Sequence, residues 1–392
     1  AHTYGKAFRD IARAFERRWD HPPDVVVRPS SEQDVADVLD WASDVGAAVI
    51  PVGGGSSVVG GVEPDLTGTA EPDRPTISLD LTRLAGVVEV DATSRAALVR
   101  AGTFGPDADS VLREHQLSMR HFPQSYEHST VGGWLATRSG GHFATGPTHI
   151  DDLVESIRAV TPTGVWESRR LPASGAGPSP DRLLLGSEGT LGVITQAWIR
   201  VHRRPTWRAS RSVHFAELDD ALAATRAVVQ SGLRPSNARL LDPVESESAG
   251  VADGSSVLLL GFESADHSMQ SSLDRAVAIT RDHGGVAQDS GMPGRDAAGE
   301  WRSAFLKAPY LRDAMVSLGV VAETFETACT WHDLPHLVRN VTERASQAVA
   351  DICGTGQVGM RLTHVYPDGA APYFTVLAPG RHSSLVAMWD EV

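Results

Sequence analysis

Cysteine is scarce: Cys329 and Cys353 are the only two in 392 residues. There is no CxxC pair, so neither a disulfide framework nor a thiolate zinc set can be read, and a reduced cytoplasm is the expected compartment. Basic charge is also in deficit, with 35 Lys and Arg against 49 Asp and Glu, a net charge of −14. No basic stripe is present, which argues against a nucleic-acid partner. An anionic ligand must then be bound locally, by backbone N–H groups and a few arginines. No apolar run approaches the ~20 residues that span a bilayer. No signal peptide is visible, although the sequence opens at Ala1 without a methionine. Repeats of 20–50 residues and heptads are missing too. The length favours two domains, and a hydrophobic content of 41% supplies a sizeable core.

What is present is glycine in clusters. Asp24–Val27 reads as a strand. Ser30 or Ser31 caps a helix with Gln33 or Asp34 three residues on, and Val35, Val38, Leu39 and Ala42 fall on one helical face. Gly46 ends that helix and Ala47–Ile50 is a second strand, so residues 24–50 form a small βαβ unit. Further strands are expected at 76–79, 86–90, 97–101, 153–160 and 193–201, with a boundary at Arg203-Arg204-Pro205. Beyond it the order is strand 212–215, helix 216–231, strands 236–241 and 256–263, helix 268–283 and strand 286–288, the β-α-β-β-α-β arrangement of a ferredoxin-like domain. A helix-rich part follows, with 334–351 the clearest helix. Strands 358–366 and 373–377 enclose the turn Pro367-Asp368-Gly369.

The second strand runs into Pro51-Val52-Gly53-Gly54-Gly55-Ser56-Ser57-Val58. Three consecutive glycines bring bare N–H groups against an anion, as a pyrophosphate requires. Read alone, the run is equally a tight turn at a sheet corner. A P-loop is excluded because no lysine follows the glycines. A dinucleotide fingerprint is excluded because Gly60, Gly61 and Pro64 open no helix. Two more segments have the same character: Ser129–Gly133 with Thr137–Gly141, and Gly186–Gly192. Three donor-rich loops in one domain suggest one long polar ligand.

PVGGGSSVVGG, STVGGWLATRSGG and GSEGTLGVIT, in this order, resemble the vanillyl-alcohol oxidase family of flavoproteins, whose FAD-binding domain is of the p-cresol methylhydroxylase type. The likeness covers about residues 20–205. It implies an α+β fold: a two-subdomain FAD-binding domain over 1–205 and a ferredoxin-like α+β substrate (cap) domain over 206–392. It also implies non-covalent FAD. Pro51, Val52, Gly53, Gly54, Gly55, Ser56, Ser57 and Val58 would wrap the pyrophosphate. Pro123, Gln124, Ser125, Ser129, Thr130, Gly132, Gly133, Thr137, Arg138 and Ser139 would line the isoalloxazine and ribityl region. Glu188, Gly189 and Ile194 would hold the far part of the nucleotide. Many relatives link the flavin covalently through a histidine in the first loop; here that position matches Gly55. His142 follows a similar glycine pair in a different segment and reads as a turn histidine near the flavin.

The second half resembles the alkyldihydroxyacetonephosphate synthase branch of that family through His2–Lys6, Ala308–Asp313, Glu323–Thr327 with Trp331, Arg361–Tyr366 and Pro372–Phe374. Such an enzyme exchanges the acyl chain of acyl-dihydroxyacetone phosphate for a fatty alcohol without net redox change, the flavin acting as a covalent electron sink. By that likeness Tyr373 and His364 are catalytic, and Arg312 and Arg361 bind a phosphorylated, lipid-like small molecule. A guanidinium offers phosphate a bidentate fork. Without the likeness, Tyr373 reads as a core aromatic, Arg312 as a solvated helix residue, His364 as a strand histidine, and Glu323 and Glu326 as partners for arginines. The branch carries a histidine cluster near its C-terminus; these residues end at Trp389-Asp390-Glu391-Val392 without one. Either the protein continues past Val392 or those histidines are absent. The alternative activity is an FAD-linked oxidase or dehydrogenase of a 2-hydroxy acid or other alcohol, of which His364 and Asp368-Gly369 are a faint echo. No metal site is expected. A homodimer and a peripheral membrane contact are compatible with the class, although no long basic amphipathic helix supports the latter.

Overall fold

The computed structural model describes residues 2–143, 145–252, 254–288, 310–381 and 384–392. The chain forms two compact units. One comprises residues 1–141 and 149–203; the other comprises 142–148 and 204–392. The chain thus visits the second unit briefly at 142–148 before the main crossing after Arg203, which a single boundary at 205 does not capture.

The first unit holds two principal sheets. Val25–Val27, Thr76–Asp80 and Ala48–Val52 are parallel, with Thr76–Asp80 in the middle. The two strands of the early βαβ stretch are therefore not neighbours: a third strand, from beyond the glycine loop, lies between them. The helix Glu32–Val45 starts where Ser31 accepts from the Asp34 amide and stops at Gly46, whose φ of +68° needs no Cβ. Val35 on its inner face packs with Leu79, Leu81, Leu84, Val160 and Val193. That core joins the parallel sheet to an antiparallel one of order Val87–Asp91, Ala96–Arg100, Val193–Arg200, Val154–Thr161, Gly164–Glu167. Arg158 on the second sheet grips Glu32 at 2.8 and 2.9 Å, fixing the start of the helix.

The glycine-rich stretch 123–147 contains a helix that composition argues against, Val131–Thr137. Thr130 caps it by accepting from the Gly133 amide, and buried Val131, Trp134 and Leu135 anchor it. Gly132 lies so close to the neighbouring strand's end that an added Cβ would sit 2.6 Å from the Ala101 methyl. Packing overrides propensity here.

In the second unit, Trp207–Phe215, Asn237–Leu241, Ser256–Ser264 and Val286–Gln288 take the ferredoxin-like strand order, with the helices Leu218–Gln230 and Gln270–Arg281 between them in sequence. The sheet does not stop there. Leu241 pairs with Arg361, which adds Gln357–Val365, then Gly369–Pro379, then Val320–Glu326 to make one sheet. The last of these lies within the stretch read as helix-rich. One face of this sheet is apolar: Ala238, Leu240, Leu258, Leu260, Met360, Leu362 and Phe374 pack with Leu222, Val228, Leu273, Val277, Leu334 and Val338 from three helices. Alternation puts Asn237, Arg239, Arg361, Tyr373 and Thr375 on the other face. No helix among the described residues is long and apolar enough to cross a membrane.

Candidate active site and cofactor loops

The three glycine loops meet in the first unit. A Cβ on Gly53 would overlap the Thr130 hydroxyl, and one on Gly54 would overlap the His128 carbonyl oxygen. A Cβ on Gly189 would lie 2.8 Å from Pro51, and one on Gly61 would lie 2.8 Å from the Glu188 carboxylate. The glycines are thus needed first for loop-on-loop contact. Among the described residues, the N–H groups of Gly53, Gly54, Gly55, Ser56 and Ser57 have no acceptor within the chain. Five successive donors on a partly exposed turn are what a pyrophosphate demands. An N-terminal arm braces this loop: the Lys6 amide donates to the Ser57 carbonyl at 2.6 Å, and Gly5 abuts the same oxygen. Below it, buried Arg13 bonds Asp10 at 3.0 Å and Glu63 at 2.7 Å and stacks 4.0 Å over Tyr4. Nothing in the residue pattern pointed to that brace.

The second loop behaves differently from the first. The amides of Val131, Gly132 and Gly133 donate to Thr103, Ala101 and Thr130, so unlike those of the first loop they already have acceptors within the chain. Ser129 accepts from the Trp134 indole at 2.6 Å and donates to the Ser125 carbonyl, which ties Ser125 and Ser129 together. Thr137 donates to the Gly133 carbonyl. Arg138 is held by buried Asp151 at 2.9 Å, which also holds Arg182 at 2.8 Å. The Ser139 hydroxyl meets the His121 ring at 2.9 Å. Pro123 and Gln124 open a tight turn in which the Pro123 carbonyl accepts from the Tyr126 amide. Glu188 sits at φ +49°, a left-handed position that brings its amide to the Ala136 carbonyl at 3.0 Å. Ile194 is buried in its strand. His142 does not belong to these loops: it lies in the 142–148 segment of the second unit, and its carbonyl accepts from Arg239 at 3.4 Å.

In the second unit, register aligns Glu326, Tyr373 and Arg361 directly across three adjacent strands. Simple alternation from Arg361 would turn His364 to the apolar face. A bulge between Leu362 and His364 shifts the count, so that His364 pairs with Ala371 on the same face as Tyr373. The Arg361 guanidinium lies 4.0 Å from the Tyr373 ring centroid and 3.0 Å from Glu245. Glu326 accepts from the Thr363 hydroxyl at 2.6 Å and its charge also acts on the Arg239 guanidinium, whereas Glu323 accepts from the Trp389 indole at 2.6 Å. Arg239, 1% exposed, stands two residues before Leu241 on this face. Burial, and then the nearby charge of Arg361, push its guanidinium down to about 9. Asp242 caps the short helix Pro243–Ser248 and accepts from the Glu245 and Met360 amides; burial pushes its carboxyl up to about 6. Arg312 is on a separate element, the helical stretch 310–317, and its Nε is a buried donor without an acceptor among the described residues. Ala308 and Pro309 of the same motif lie outside the described residues. His21, Glu63 and Asp65 stand close enough to share a cation, but Arg13 already grips Glu63.

Residues 23–168 match the model of an FAD binding domain, and residues 204–392 match that of the C-terminal domain of FAD linked oxidases. The chain belongs to the FAD-linked oxidase flavoproteins and is an FAD-dependent enzyme. Within that class it is similar to alkyldihydroxyacetonephosphate synthases: 28% identical over 96% of this chain to that of Trypanosoma brucei brucei, and 28% over 100% to that of Dictyostelium discoideum. It spans 64% and 67% of those proteins' lengths. A solved alkyldihydroxyacetonephosphate synthase superposes with a TM-score of 0.83 at 27% identity, covering 100% of this chain and 75% of that one. The substrate-bound p-cresol methylhydroxylase structure, at 13% identity and a TM-score of 0.66, shares the fold, over 95% of this chain and 79% of that one. The cofactor is FAD, and the acceptor-free amides of residues 53–57 fit its pyrophosphate.

Proposed function

We propose that the chain catalyses the exchange of the acyl chain of acyl-dihydroxyacetone phosphate for a fatty alcohol. The ester C–O bond at the dihydroxyacetone carbon breaks, an ether C–O bond forms at the same carbon, and the alcohol proton leaves with the fatty acid, so no net redox occurs. The observation that carries this reading is the Glu326–Tyr373–Arg361 row, with His364 beside it on the same sheet face. Bound FAD supplies the electron sink. Tyr373 moves the proton beside the carbonyl, a task for a positioned acid or base. His364 stands on the same face to relay it. Arg312 holds the phosphate, for which its buried, acceptor-free Nε is suited. Likeness to synthases over nearly the whole chain supports the substrate class.

The test is anaerobic mixing of the yellow protein with palmitoyl-dihydroxyacetone phosphate, following the flavin spectrum and the release of palmitate. Bleaching with palmitate release and no net oxidation supports the exchange. An unchanged spectrum together with reduction by a 2-hydroxy acid would move the enzyme to the dehydrogenase class, represented among its relatives by a mitochondrial D-lactate dehydrogenase of Arabidopsis thaliana, 30% identical over 59% of this chain and 40% of that protein.

A further inference from the structure

The Tyr373 ring is held from outside its own strand. We propose that Glu245 and Arg361 are positioning residues for Tyr373: Glu245 anchors the Arg361 guanidinium, and that plane fixes the ring in one orientation on the sheet face. This rests on the role given to Tyr373 above. The chain of contacts is short and buried. Glu245 and Arg361 are 10% and 11% exposed at their side chains and 3.0 Å apart. Arg361 stacks at 4.0 Å on Tyr373 and reaches the Thr375 hydroxyl at 3.4 Å, so it is clamped on the same strand at two points.

The anchor is itself fixed. Asp242 accepts from the Met360 amide at 2.7 Å and the Glu245 amide at 2.8 Å, tying the short helix to the strand that carries Arg361. Gly359, one strand step before Arg361 on the same face, lies against Glu245; a Cβ there would come within 2.9 Å of its Cγ. The only side chain that fits beside Glu245 at that position is none. A guanidinium suits this task because it is planar, always charged and stacks on aromatic faces, which an ammonium does not. A phenol without this brace would sample more rotamers, and misplacing a reacting group by about 1 Å costs up to roughly 100-fold in rate.

The rival role for Arg361 is direct contact with substrate, since its Nε is buried without an acceptor among the described residues. Steady-state exchange kinetics on the FAD-loaded full chain separate the two. Glu245→Gln is isosteric, and Arg361→Lys keeps the charge but not the plane. For both we expect kcat to fall about tenfold, with KM for palmitoyl-dihydroxyacetone phosphate within about twofold and the protein still folded and FAD-loaded at the assay temperature, although Glu245→Gln lowers its melting temperature. Methylguanidinium should restore part of kcat to Arg361→Ala. A rise in KM at constant kcat in Arg361→Lys would overturn the inference in favour of substrate binding. Unchanged kcat in both conservative variants would overturn it outright. Tyr373→Phe measured alongside separates the levels: turnover retained there removes the reading on which the inference rests, whereas turnover lost there but intact in Glu245→Gln and Arg361→Lys removes only the inference.

Discussion

The two units hold their chemistry in opposite ways. In the first, the working groups are consecutive backbone amides, and side chains matter chiefly by being absent, as at Gly53 and Gly54. In the second, the groups proposed to act are side chains of residues 245, 326, 361, 364 and 373, and backbone pairing merely brings the strands that carry them level. A ligand gripped by main chain leaves a contiguous signature in the sequence. Chemistry performed by side chains across a sheet leaves scattered letters whose adjacency depends on register.

That contrast can be broken at several points. Tyr373→Phe removes one oxygen and should lower kcat by about 10³-fold while FAD content, read from the visible spectrum, stays at the wild-type level; retained turnover would remove Tyr373 from the mechanism. Gly54→Ala forces a methyl into the His128 carbonyl. It should weaken FAD by roughly 10–100-fold, the effect of about 1–3 kcal/mol of overpacking, in a fluorescence titration of apoprotein. Gly55→Ala, in open space at φ +64°, should cost about 1–2 kcal/mol of fold stability through backbone strain and change FAD affinity by less than about threefold. Equal losses at both positions would mean that contact between loops is not what the glycines serve. Arg312→Ala should raise KM for the phosphorylated substrate by roughly 10–100-fold, the loss of a hydrogen bond to a charged group, and leave FAD bound.

The last effect concerns pH. The fold raises the Asp242 carboxyl from 3.8 to about 6, chiefly by burial. The folded state therefore favours the protonated form, so this group's stabilisation is complete below about pH 4 and is lost as pH rises through 6. Over that window wild type should lose on the order of 2–3 kcal/mol that Asp242→Asn, still able to cap, does not lose. Parallel unfolding curves for the two proteins from pH 4 to 7 would exclude the shift.

The same contrast explains what could be read in advance. The glycine loops, the Ser31 cap, the Gly46 stop and the ferredoxin-like order were visible because each is local chemistry or strict periodicity. The Val131–Thr137 helix was hidden because its stability comes from Trp134 and Leu135 in the core and from close approach to Ala101, which outweigh two glycines. The turn after Tyr366 suggested that His364 and Arg361 could face one site with Tyr373, but strict alternation would put His364 on the opposite face from Arg361, and it is the bulge at Thr363 that brings it round. Nothing in the sequence linked Glu245 to the arginine it holds, which lies 116 residues further on. Its one trace was Asp242-Pro243, a cap followed by a proline at the first helical position.

The short visit at 142–148 also bears on ancestry. Thr145 bonds the Pro235 carbonyl, Thr148 meets the Tyr366 hydroxyl at 2.7 Å, and the His142 carbonyl takes Arg239. These seven residues sit in the middle of the cofactor-binding half yet answer to the other half. The halves are therefore not interchangeable cassettes. A recombination joint placed after Arg203 would import a loop tailored to a sheet left behind, so substrate halves should pass between lineages only together with this loop, as one inheritance in two pieces.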